Sequence, residues 1–426
     1  MFILYDLIFV IFALIYLPVY LLKRKFHPGF SRRLGVLPPE LKLDRPIWCH
    51  AVSVGEVIAV KGLLEEIRSA FPEKRLVIST VTATGNKIAR SLAREQDFVT
   101  YLPLDLKFIV RRVIDRINPS LFIIAETEIW PNLISYLYGK KIPIIIVNGR
   151  ISDASFKGYL AIKFLIGPIL NKINIFSVQG ARDASRFKEL GVAQEKIKIT
   201  GNMKFDIKDY TDFKKDYTDL KNKLGLKPKD KLLVCGSTHP QEEEQILALY
   251  KQLHRHFPVL RLLIAPRHPE RSGEVAKIVS RCGWRSVAVS SLPAACSTCL
   301  TNPVFILDTV GQLISFYAIA DIVFVGGSLT KNGGHNILEP LSLGKPVFFG
   351  PHMFNFRDIA ELFLEQGAAV QVNNADQLKE KIKDFLVNPA QAEHLAAKAR
   401  EIISENSGAT RRNLELIKGL TYGNKG

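Results

Sequence analysis

The sequence predicts an α/β protein built from two doubly wound parallel sheets. Short apolar runs rich in β-branched residues alternate with helical segments, and each run is continuous rather than alternately polar, which is typical of strands buried on both faces. The alternation breaks once, at residues 204–230, where Lys and Asp are dense and apolar residues are few. Since 426 residues are enough for two domains of ordinary size, the join between two such domains is expected there.

Both halves of the chain contain a series of candidate strands. In the first half they lie at 47–53, 75–82, 98–102, 121–125, 143–148, 175–178 and 197–200, with a helix expected over 56–71. In the second half they lie at 231–235, 261–265, 286–289, 304–307, 322–325, 346–349 and 368–372, followed by a charged helical tail. We therefore expect an N-terminal Rossmann-like domain over 23–205 and a C-terminal one over 206–426. Two such domains facing each other would form a cleft, with ligands at the carboxyl ends of the strands.

Residues 2–22 predict a single-pass membrane helix at the N-terminus. The run is almost wholly apolar, broken only by Asp6 and Pro18, and about twenty apolar residues span one bilayer. The basic residues at 23–25 follow the run and no small-residue cleavage site is present, which disfavours a signal peptide and places the rest of the chain on the cytoplasmic side. The alternative is a helix buried on the first domain, because an acidic residue and a proline weaken a membrane span.

The charge of the chain predicts a polyanionic partner. A formal net charge of +17 suits nucleic acid, an anionic membrane face or a phosphorylated substrate. Nucleic acid is disfavoured because Lys and Arg are spread along the chain and no RNA-binding or helix-turn-helix pattern occurs. Five cysteines on a cytoplasmic chain predict no disulfides, and the pair Cys296 and Cys299 lacks the second Cys or His pair of a zinc site.

Several motifs that would predict a different chemistry are missing from the sequence. It contains no Asp-x-Asp pair, no Walker phosphate loop, no His-Glu-x-x-His and no Gly-x-Gly-x-x-Gly after a strand. A mechanism that depends on a bound metal or a nicotinamide cofactor is therefore disfavoured.

Acidic residues follow two strands of the first half. Ser53 and Glu56 have the spacing of a capping box at a helix N-terminus, and capping is one interpretation. The other is that Glu56 projects from the strand end as a general base, kept ionised by the helix dipole. Glu126 and Glu128 follow the strand at 121–125, where one of them could instead cap the helix that begins at Pro131.

A lysine stands where the first domain passes into the second. Lys204 lies in the stretch 201–206, Gly-Asn-Met-Lys-Phe-Asp. Its amine could reach an anion in the expected cleft, although a plain linker is an equally natural interpretation.

The stretch 326–340, Gly-Gly-Ser-Leu-Thr-Lys-Asn-Gly-Gly-His-Asn-Ile-Leu-Glu-Pro, predicts the ligand site of the second half. Its glycines allow close approach to the backbone, and a helix starting at Asn336 would direct free N–H groups at an anion. Glu339, one turn further in, could accept hydrogen bonds from sugar hydroxyls. The alternative is a structural turn between strand and helix.

Two further strand ends of the second half carry polar groups. Arg267 stands between Pro266 and the sequence His268-Pro269, and a stiff loop carrying a guanidinium suits phosphate recognition. Ser237 precedes Thr238 and His239 at the end of the preceding strand.

Five motifs, at 50–57, 125–132, 201–206, 266–268 and 326–340, together resemble those of the Kdo transferases, which attach 3-deoxy-D-manno-octulosonic acid (Kdo) to the lipid A precursor. The resemblance runs from the N-terminus to about residue 357. It implies the two-domain glycosyltransferase fold called GT-B, the donor CMP-Kdo, no metal or other cofactor, inversion at the anomeric carbon, and work at the cytoplasmic face of the inner membrane. The implied partners are CMP-Kdo, a phosphorylated lipid A precursor (lipid IVA) and the inner-membrane lipid surface, with no nucleic acid.

The resemblance also implies roles for individual residues. Glu56 matches the proton acceptor, and Glu126 and Lys204 match residues that stabilise the transition state. The segments matching those that bind CMP contain Pro266, Arg267, Val310, Gly311, Gln312, Asn336, Ile337, Leu338 and Glu339. Further possible contacts are Ser53, Glu128, Ser237, Gly334 and His335. Gln312 stands where the family commonly has Glu, so a contact there would be neutral.

Two other functions stay open at this stage. One is a nucleotide-sugar epimerase of the same fold, which would have no use for an N-terminal membrane span. The other is a non-catalytic membrane protein that binds a nucleotide sugar, which would tolerate Glu56→Gln without loss of output.

Overall fold

The structure, a computed structural model, describes residues 29–206, 216–292 and 302–422. The predicted membrane helix at 2–22 and the cysteines 296 and 299 lie outside the described residues. Within the described part of the chain, no helix has both the length and the apolar composition that crossing a bilayer requires. The chain divides into two compact units, Met1–Asp206 with Asn406–Gly426, and Ile207–Glu405.

The first unit contains a parallel sheet of seven strands. In chain order these are β1 (Ile47–His50), β2 (Leu76–Thr80), β3 (Phe98–Tyr101), β4 (Leu121–Ala125), β5 (Ile144–Gly149), β6 (Ile175–Val178) and β7 (Ile197–Ile199). The spatial order is β3-β2-β1-β4-β5-β6-β7, and every neighbouring pair is parallel. The order reverses between β1 and β4, so the loops after these two strands lie at the switch point where open α/β sheets bind ligands.

Helices cover this sheet. They are α1 (Phe30–Arg33), α2 (Val54–Ala59), α3 (Lys61–Ala70), α4 (Ala83–Leu92), α5 (Lys107–Ile117), α6 (Pro131–Gly139), α7 (Asp153–Ala161), α8 (Lys163–Leu170) and α9 (Ala181–Glu189). The helix expected over 56–71 is thus two helices, α2 and α3, which meet at Val60. The strands are buried along their whole length where they are central, as the continuous apolar runs predict.

The second unit also contains a parallel sheet of seven strands. They are β8 (Lys231–Thr238), β9 (Leu260–Pro266), β10 (Ser286–Ala288), β11 (Val304–Ile306), β12 (Ile322–Val325), β13 (Val347–Phe349) and β14 (Val370–Gln371). The spatial order is β10-β11-β9-β8-β12-β13-β14, so its switch point lies between β8 and β12. The helices are α10 (Asp216–Lys223), α11 (Glu242–His256), α12 (Ser272–Arg281), α13 (Leu313–Ile319), α14 (Leu338–Ser342), α15 (Arg357–Glu365), α16 (Ala375–Val387) and α17 (Pro389–Asn406).

One further helix, α18 (Ala409–Tyr422), belongs to the first unit. The sequence assigned all of 206–426 to the second domain, and for this helix that assignment is wrong. Leu414 and Ile417 are buried in the core that α3 forms with the first sheet. The amide of Asn413, fully buried, joins the hydroxyls of Ser177 and Thr200 in one hydrogen-bonded cluster.

Candidate active site

Glu56 lies in the first turn of α2, directly after the carboxyl end of β1. One carboxylate oxygen accepts a hydrogen bond from the backbone N–H of Val52 at 2.6 Å, and the other accepts one from the Ser53 hydroxyl at 3.0 Å. Ser53 is the N-cap residue of α2, but its side chain accepts no capping hydrogen bond. Neither hydrogen bond of the predicted capping box is therefore formed: the carboxylate reaches back past the N-cap to Val52, and the serine hydroxyl donates to the carboxylate.

The Glu56 carboxyl holds its proton more strongly than an ordinary glutamic acid. Burial raises its pKa from 4.5 to about 7, the charges of Glu126 and Glu128 act in the same direction, and the bonds from Val52 and Ser53 oppose them. The expectation that the helix dipole keeps this group ionised is wrong, because desolvation outweighs it. A carboxyl with a pKa near neutrality suits a general base.

Glu126 and Lys204 form an ion pair beside this carboxyl. Lys204 Nζ donates to Glu126 Oε1 at 3.2 Å. Glu126 has a φ of 56°, an uncommon left-handed conformation that turns the chain sharply at the end of β4. Lys204 stands in a short 3₁₀ turn whose flanking residues, Met203 and Phe205, are buried. This turn is therefore part of the first unit's core, and Lys204 is not in a plain linker.

Neither Glu126 nor Glu128 caps helix α6. That role belongs to Asp105, whose carboxylate accepts hydrogen bonds from the N–H of Asn132 at 3.0 Å and of Leu133 at 2.8 Å. Neither glutamate is therefore held by the start of α6, and Glu126 is paired with Lys204 instead. Burial raises the pKa of the Glu128 carboxyl as well.

The glycine turn of the second unit is already filled by an internal carboxylate. Glu242, the first residue of α11, is fully buried and accepts hydrogen bonds from the N–H groups of Gly327 at 2.7 Å and of Ser328 and Leu329 at 3.0 Å. A fourth bond comes from the His239 N–H at 3.0 Å. The N–H groups of Gly327, Ser328 and Leu329 are therefore already bonded within the protein, and Glu242 occupies the place that a ligand could take at these glycines.

The helix that follows begins later than expected and is short. It starts at Leu338 rather than Asn336, and the Asn336 side chain accepts the Leu338 N–H at 3.0 Å. Asn336 also donates to Glu339 Oε1 at 3.2 Å. Ile337 and Leu338 are core side chains, so only their backbone could contact a ligand. A helix of five residues gives little dipole, and the anion site predicted from it loses that support.

Arg267 and Glu339 occupy the same region of the second unit. Burial raises the pKa of the Glu339 carboxyl, while the Asn336 hydrogen bond and the Arg267 charge oppose that change. Arg267 is exposed, and within the described residues it forms no ion pair. Pro266, just before it, is the buried last residue of β9. This guanidinium is accordingly free to bind an anion.

Three other predicted residues have defined contacts or backbone conformations within the second unit. Ser237 has a φ of 56°, and turns the chain at the end of β8. Gly334 has a φ of 69°, a conformation that favours glycine, and a Cβ there would lie 2.2 Å from the Met353 sulfur. His335 packs against His239, with 2.8 Å between the two Nε2 atoms.

The turn at Val310, Gly311 and Gln312 is exposed. Val310 is 85% exposed, and Gln312 Oε1 accepts a hydrogen bond from the Thr309 hydroxyl at 3.0 Å. Across the described residues, no hydrogen bond or ion pair joins this turn to Arg267.

Sequence reasoning missed three residues around the ligand stretch of the second unit. Glu242 fills the glycine turn, His239 pairs with His335, and the Asn355 amide donates to the carbonyl of Asn332 at 3.1 Å and bonds the Gly334 carbonyl at 3.5 Å. The acidic run at 242–244 indicates the start of a helix in the sequence. It does not indicate that Glu242 binds Gly327, which lies 85 residues further along the chain. Among the residues that the structure describes, no group of three or more His, Cys, Asp or Glu could hold a metal ion.

Comparisons with known proteins agree with this arrangement. A family model described as 3-deoxy-D-manno-octulosonic-acid transferase (kdotransferase) matches residues 28–207, and one described as glycosyl transferases group 1 matches residues 296–402. The structure of a UDP-GlcNAc 2-epimerase from Neisseria meningitidis bound to UDP-GlcNAc matches with a TM-score of 0.54 over 85% of this chain and 99% of that one. At 14% identity this match shows the two-domain glycosyltransferase-type fold alone.

Two curated relatives match almost the whole chain. The 3-deoxy-D-manno-octulosonic acid transferase of Haemophilus influenzae is 35% identical over 394 residues, which cover 92% of this chain and 89% of that protein. The protein of the same name from Chlamydophila psittaci is 33% identical over 427 residues, covering 97% of this chain and 95% of that one. The chain therefore belongs to the 3-deoxy-D-manno-octulosonic-acid transferase family of glycosyltransferases.

Proposed function

We propose that the protein transfers Kdo from CMP-Kdo to a sugar hydroxyl of a lipid A precursor in lipopolysaccharide biosynthesis. Family membership supports the transferred sugar. The observation that carries the chemistry is the Glu56 carboxyl, which sits at the switch point of the first sheet with a pKa of about 7. The nucleotide of the donor would be held by the second unit, at the ends of β8, β9 and β12.

Glu56 would act as the general base of a single displacement. Its carboxylate takes the proton from the acceptor hydroxyl as that oxygen attacks the anomeric carbon of Kdo. The bond between that carbon and the CMP phosphate oxygen breaks, and its electron pair goes to the phosphate. One displacement inverts the anomeric carbon, and the proton leaves Glu56 to water afterwards.

Lys204 would set the charge that Glu56 experiences. Its amine is 3.2 Å from the Glu126 carboxylate, so it neutralises a negative charge that would otherwise raise the Glu56 pKa further. A lysine at this place also offers positive charge to a transition state that gains negative charge.

Arg267 would bind the departing phosphate. It is exposed, carries no ion-pair partner among the described residues, and lies on a strand-end loop stiffened by Pro266 and Pro269. A guanidinium forms two parallel hydrogen bonds to a phosphate, which stabilises the charge that CMP gains on leaving.

We also propose that the first unit rests on an anionic membrane, in keeping with a lipid acceptor and an inner-membrane location. Leu160 and Phe164 are exposed and line an open, mostly apolar groove of about 570 Å³, and Lys163, which also lines it, provides positive charge. Ile162, between them in sequence, is exposed as well. Leu160 belongs to helix α7, where burial and then the charge of Glu128 raise the pKa of Tyr159, so this helix lies beside Glu128.

Membrane contact at this groove can be tested with tryptophan fluorescence. In vesicles of phosphatidylglycerol and phosphatidylethanolamine that contain brominated lipid, Phe164→Trp should be quenched. The control is Tyr138→Trp, at a residue of the first unit that is 57% exposed. Tyr138 lies at the C-terminal end of α6, away from the carboxyl end of β4, where that helix begins. Equal quenching of the two variants would contradict the proposed contact.

The transfer itself is tested with purified protein, CMP-Kdo and lipid IVA, with the product identified by mass spectrometry. Glu56→Gln should lower turnover by at least about 100-fold, the usual contribution of a general base, and should keep donor binding. The control is Glu66→Gln, an exposed glutamate on the neighbouring helix α3. Full turnover by Glu56→Gln would refute the base, and a wild-type protein that yields no Kdo-bearing product would refute the function.

A further inference from the structure

Two histidines of the second unit share a single hydrogen bond between their ring nitrogens. His239 follows β8 and His335 lies in the loop after β12, and their Nε2 atoms are 2.8 Å apart. The rings are nearly parallel, at 4° with centroids 5.1 Å apart. Such a bond needs one N–H donor and one bare nitrogen, so the pair holds one proton between its two Nε2 atoms. A second proton would place two N–H groups face to face and break the bond.

The backbone is shaped to accept this pair. Gly327 has a φ of 68° and lies against both rings, and a Cβ there would be 3.0 Å from His335 Cδ2 and 3.3 Å from His239 Cδ2. The N–H of Gly327 is held by Glu242, and the same carboxylate accepts the His239 N–H. Glu242 thus fixes both loops that carry the histidines, while the rings remain half-buried at the surface.

Three basic side chains lie near the pair. His268 lies edge-on to His239, with ring centroids 6.4 Å apart, and Arg267 and Arg271 act on the same ring. Arg271 is already paired with the buried Glu243 at 2.9 Å, and it also bonds Glu274.

Acidic groups near the pair are already engaged. Both carboxylate oxygens of Glu242 accept hydrogen bonds from backbone N–H groups, and Glu339 accepts a hydrogen bond from the Asn336 side-chain amide. Arg267 therefore remains the cation beside the pair without an ion-pair partner in the described part of the second unit.

This environment keeps the pair neutral when no anion is bound. Burial, followed by the charges of Arg267, His239 and His268, lowers the pKa of His335 to about 4. Burial and the same cationic surroundings lower the pKa of His239. An anion placed here would cancel the repulsion, and the pair could then accept a second proton.

We propose that His239 and His335 form an oxyanion-binding pair that takes up one proton from solvent when the donor binds and returns it when the product leaves. In the free protein the Nε2 atom of one ring donates a hydrogen bond to the Nε2 atom of the other. In the complex both Nε2–H groups would turn to the oxyanion, with Arg267 beside them. The inference rests on the proposed function, and its ligand is the oxyanion of the donor, supplied by either the phosphodiester or the sugar carboxylate.

Proton uptake is measured by isothermal titration calorimetry of the full chain in two buffers of different ionisation enthalpy at pH 6.5. Two probes are used: the methyl ester of CMP, a phosphodiester that does not titrate near neutrality and has no carboxylate, and CMP-Kdo without acceptor. We expect uptake approaching one proton, and an affinity that weakens by up to about tenfold per pH unit between pH 6 and pH 8. Proton uptake with the methyl ester shows that the pair binds the phosphodiester. Proton uptake with CMP-Kdo but not with the methyl ester shows that the pair binds the sugar carboxylate.

Variants test whether the histidines are the groups concerned. His239→Gln and His335→Gln should each reduce the uptake to near zero, whereas His256→Gln, an exposed histidine in the last turn of α11, should leave it unchanged. Binding of both probes without uptake by the wild-type protein overturns the proposal, as does uptake that persists in both variants. If the wild type transfers Kdo and shows no uptake, this inference fails alone. If it binds neither probe, the proposed function fails with it.

Discussion

Replacing the proposed base should stabilise the fold at alkaline pH. The pKa of Glu56 is about 7 in the folded protein and 4.5 as an ordinary glutamic acid, so the folded state binds this proton more tightly. The difference corresponds to roughly 3 kcal/mol in the free energy of unfolding. Stability from the proton is fully present below pH 4.5 and is lost as the pH rises to about 7. Above that pH, burial of the ionised carboxylate lowers the free energy of unfolding by a constant amount.

Glutamine at position 56 is neutral at every pH, and its amide oxygen can still accept the bond from Val52. Relative to the wild type, Glu56→Gln should therefore gain up to about 3 kcal/mol of unfolding free energy between pH 4.5 and pH 8. The assay is urea unfolding followed by tryptophan fluorescence in a Trp284→Phe background. The remaining tryptophans, Trp48 and Trp130, then both report on the first unit.

The matched control is Glu66→Gln, whose exposed side chain should leave the pH dependence of stability unchanged. The reasoning is refuted if the difference between Glu56→Gln and the wild type is the same at pH 5 and pH 8. That result would mean that burial of the Glu56 carboxylate carries no free-energy cost, and the main physical support for the general base would be gone.

Two other perturbations give independent results. Lys204→Met leaves the Glu126 charge uncompensated, so the acid limb of the kcat/KM profile, expected near pH 7 from Glu56, should move to higher pH by about 0.5 to 1 unit. Lys204→Arg should return the limb to its wild-type position. A limb that does not move in Lys204→Met contradicts the proposed effect of the Lys204–Glu126 ion pair on Glu56. Gly236→Ala would place a Cβ 1.9 Å from the Tyr317 hydroxyl and should destabilise the second unit by about 2 kcal/mol in thermal unfolding. Tyr317→Phe should recover part of that loss, since the ring carbon at 2.6 Å remains close; no recovery would show that another contact decides the cost.

The strands and their parallel arrangement were predictable because burial on both faces leaves a direct mark on the sequence. The runs at 121–125 and 322–325 coincide with β4 and β12, and both are buried throughout. Local turn chemistry also placed Glu56 and Glu126 correctly at strand ends.

What failed depended on partners far away in the chain. The glycine turn at 326–329 has the composition of an anion site, and only the fold reveals that Glu242 fills it. Asp105 caps α6 from 27 residues upstream, which no local pattern signals. The Glu56 pKa depends on burial, and a capping-box spacing is the same whether or not water reaches the carboxylate.

The return of α18 to the first unit affects the order in which the protein can be completed during synthesis. Everything between 207 and 405 leaves the ribosome before this helix does, so the second sheet can reach its final packing while the core side chains of α3 that pack with Leu414 and Ile417 are still uncovered. The Asp206 carboxylate, two residues beyond Lys204, accepts hydrogen bonds from the N–H groups of Gly408, at 2.5 Å, and of Thr410. These bonds likewise form only after residues 408–410 have been synthesised. The half of the molecule that is translated first is thus the half that finishes folding second.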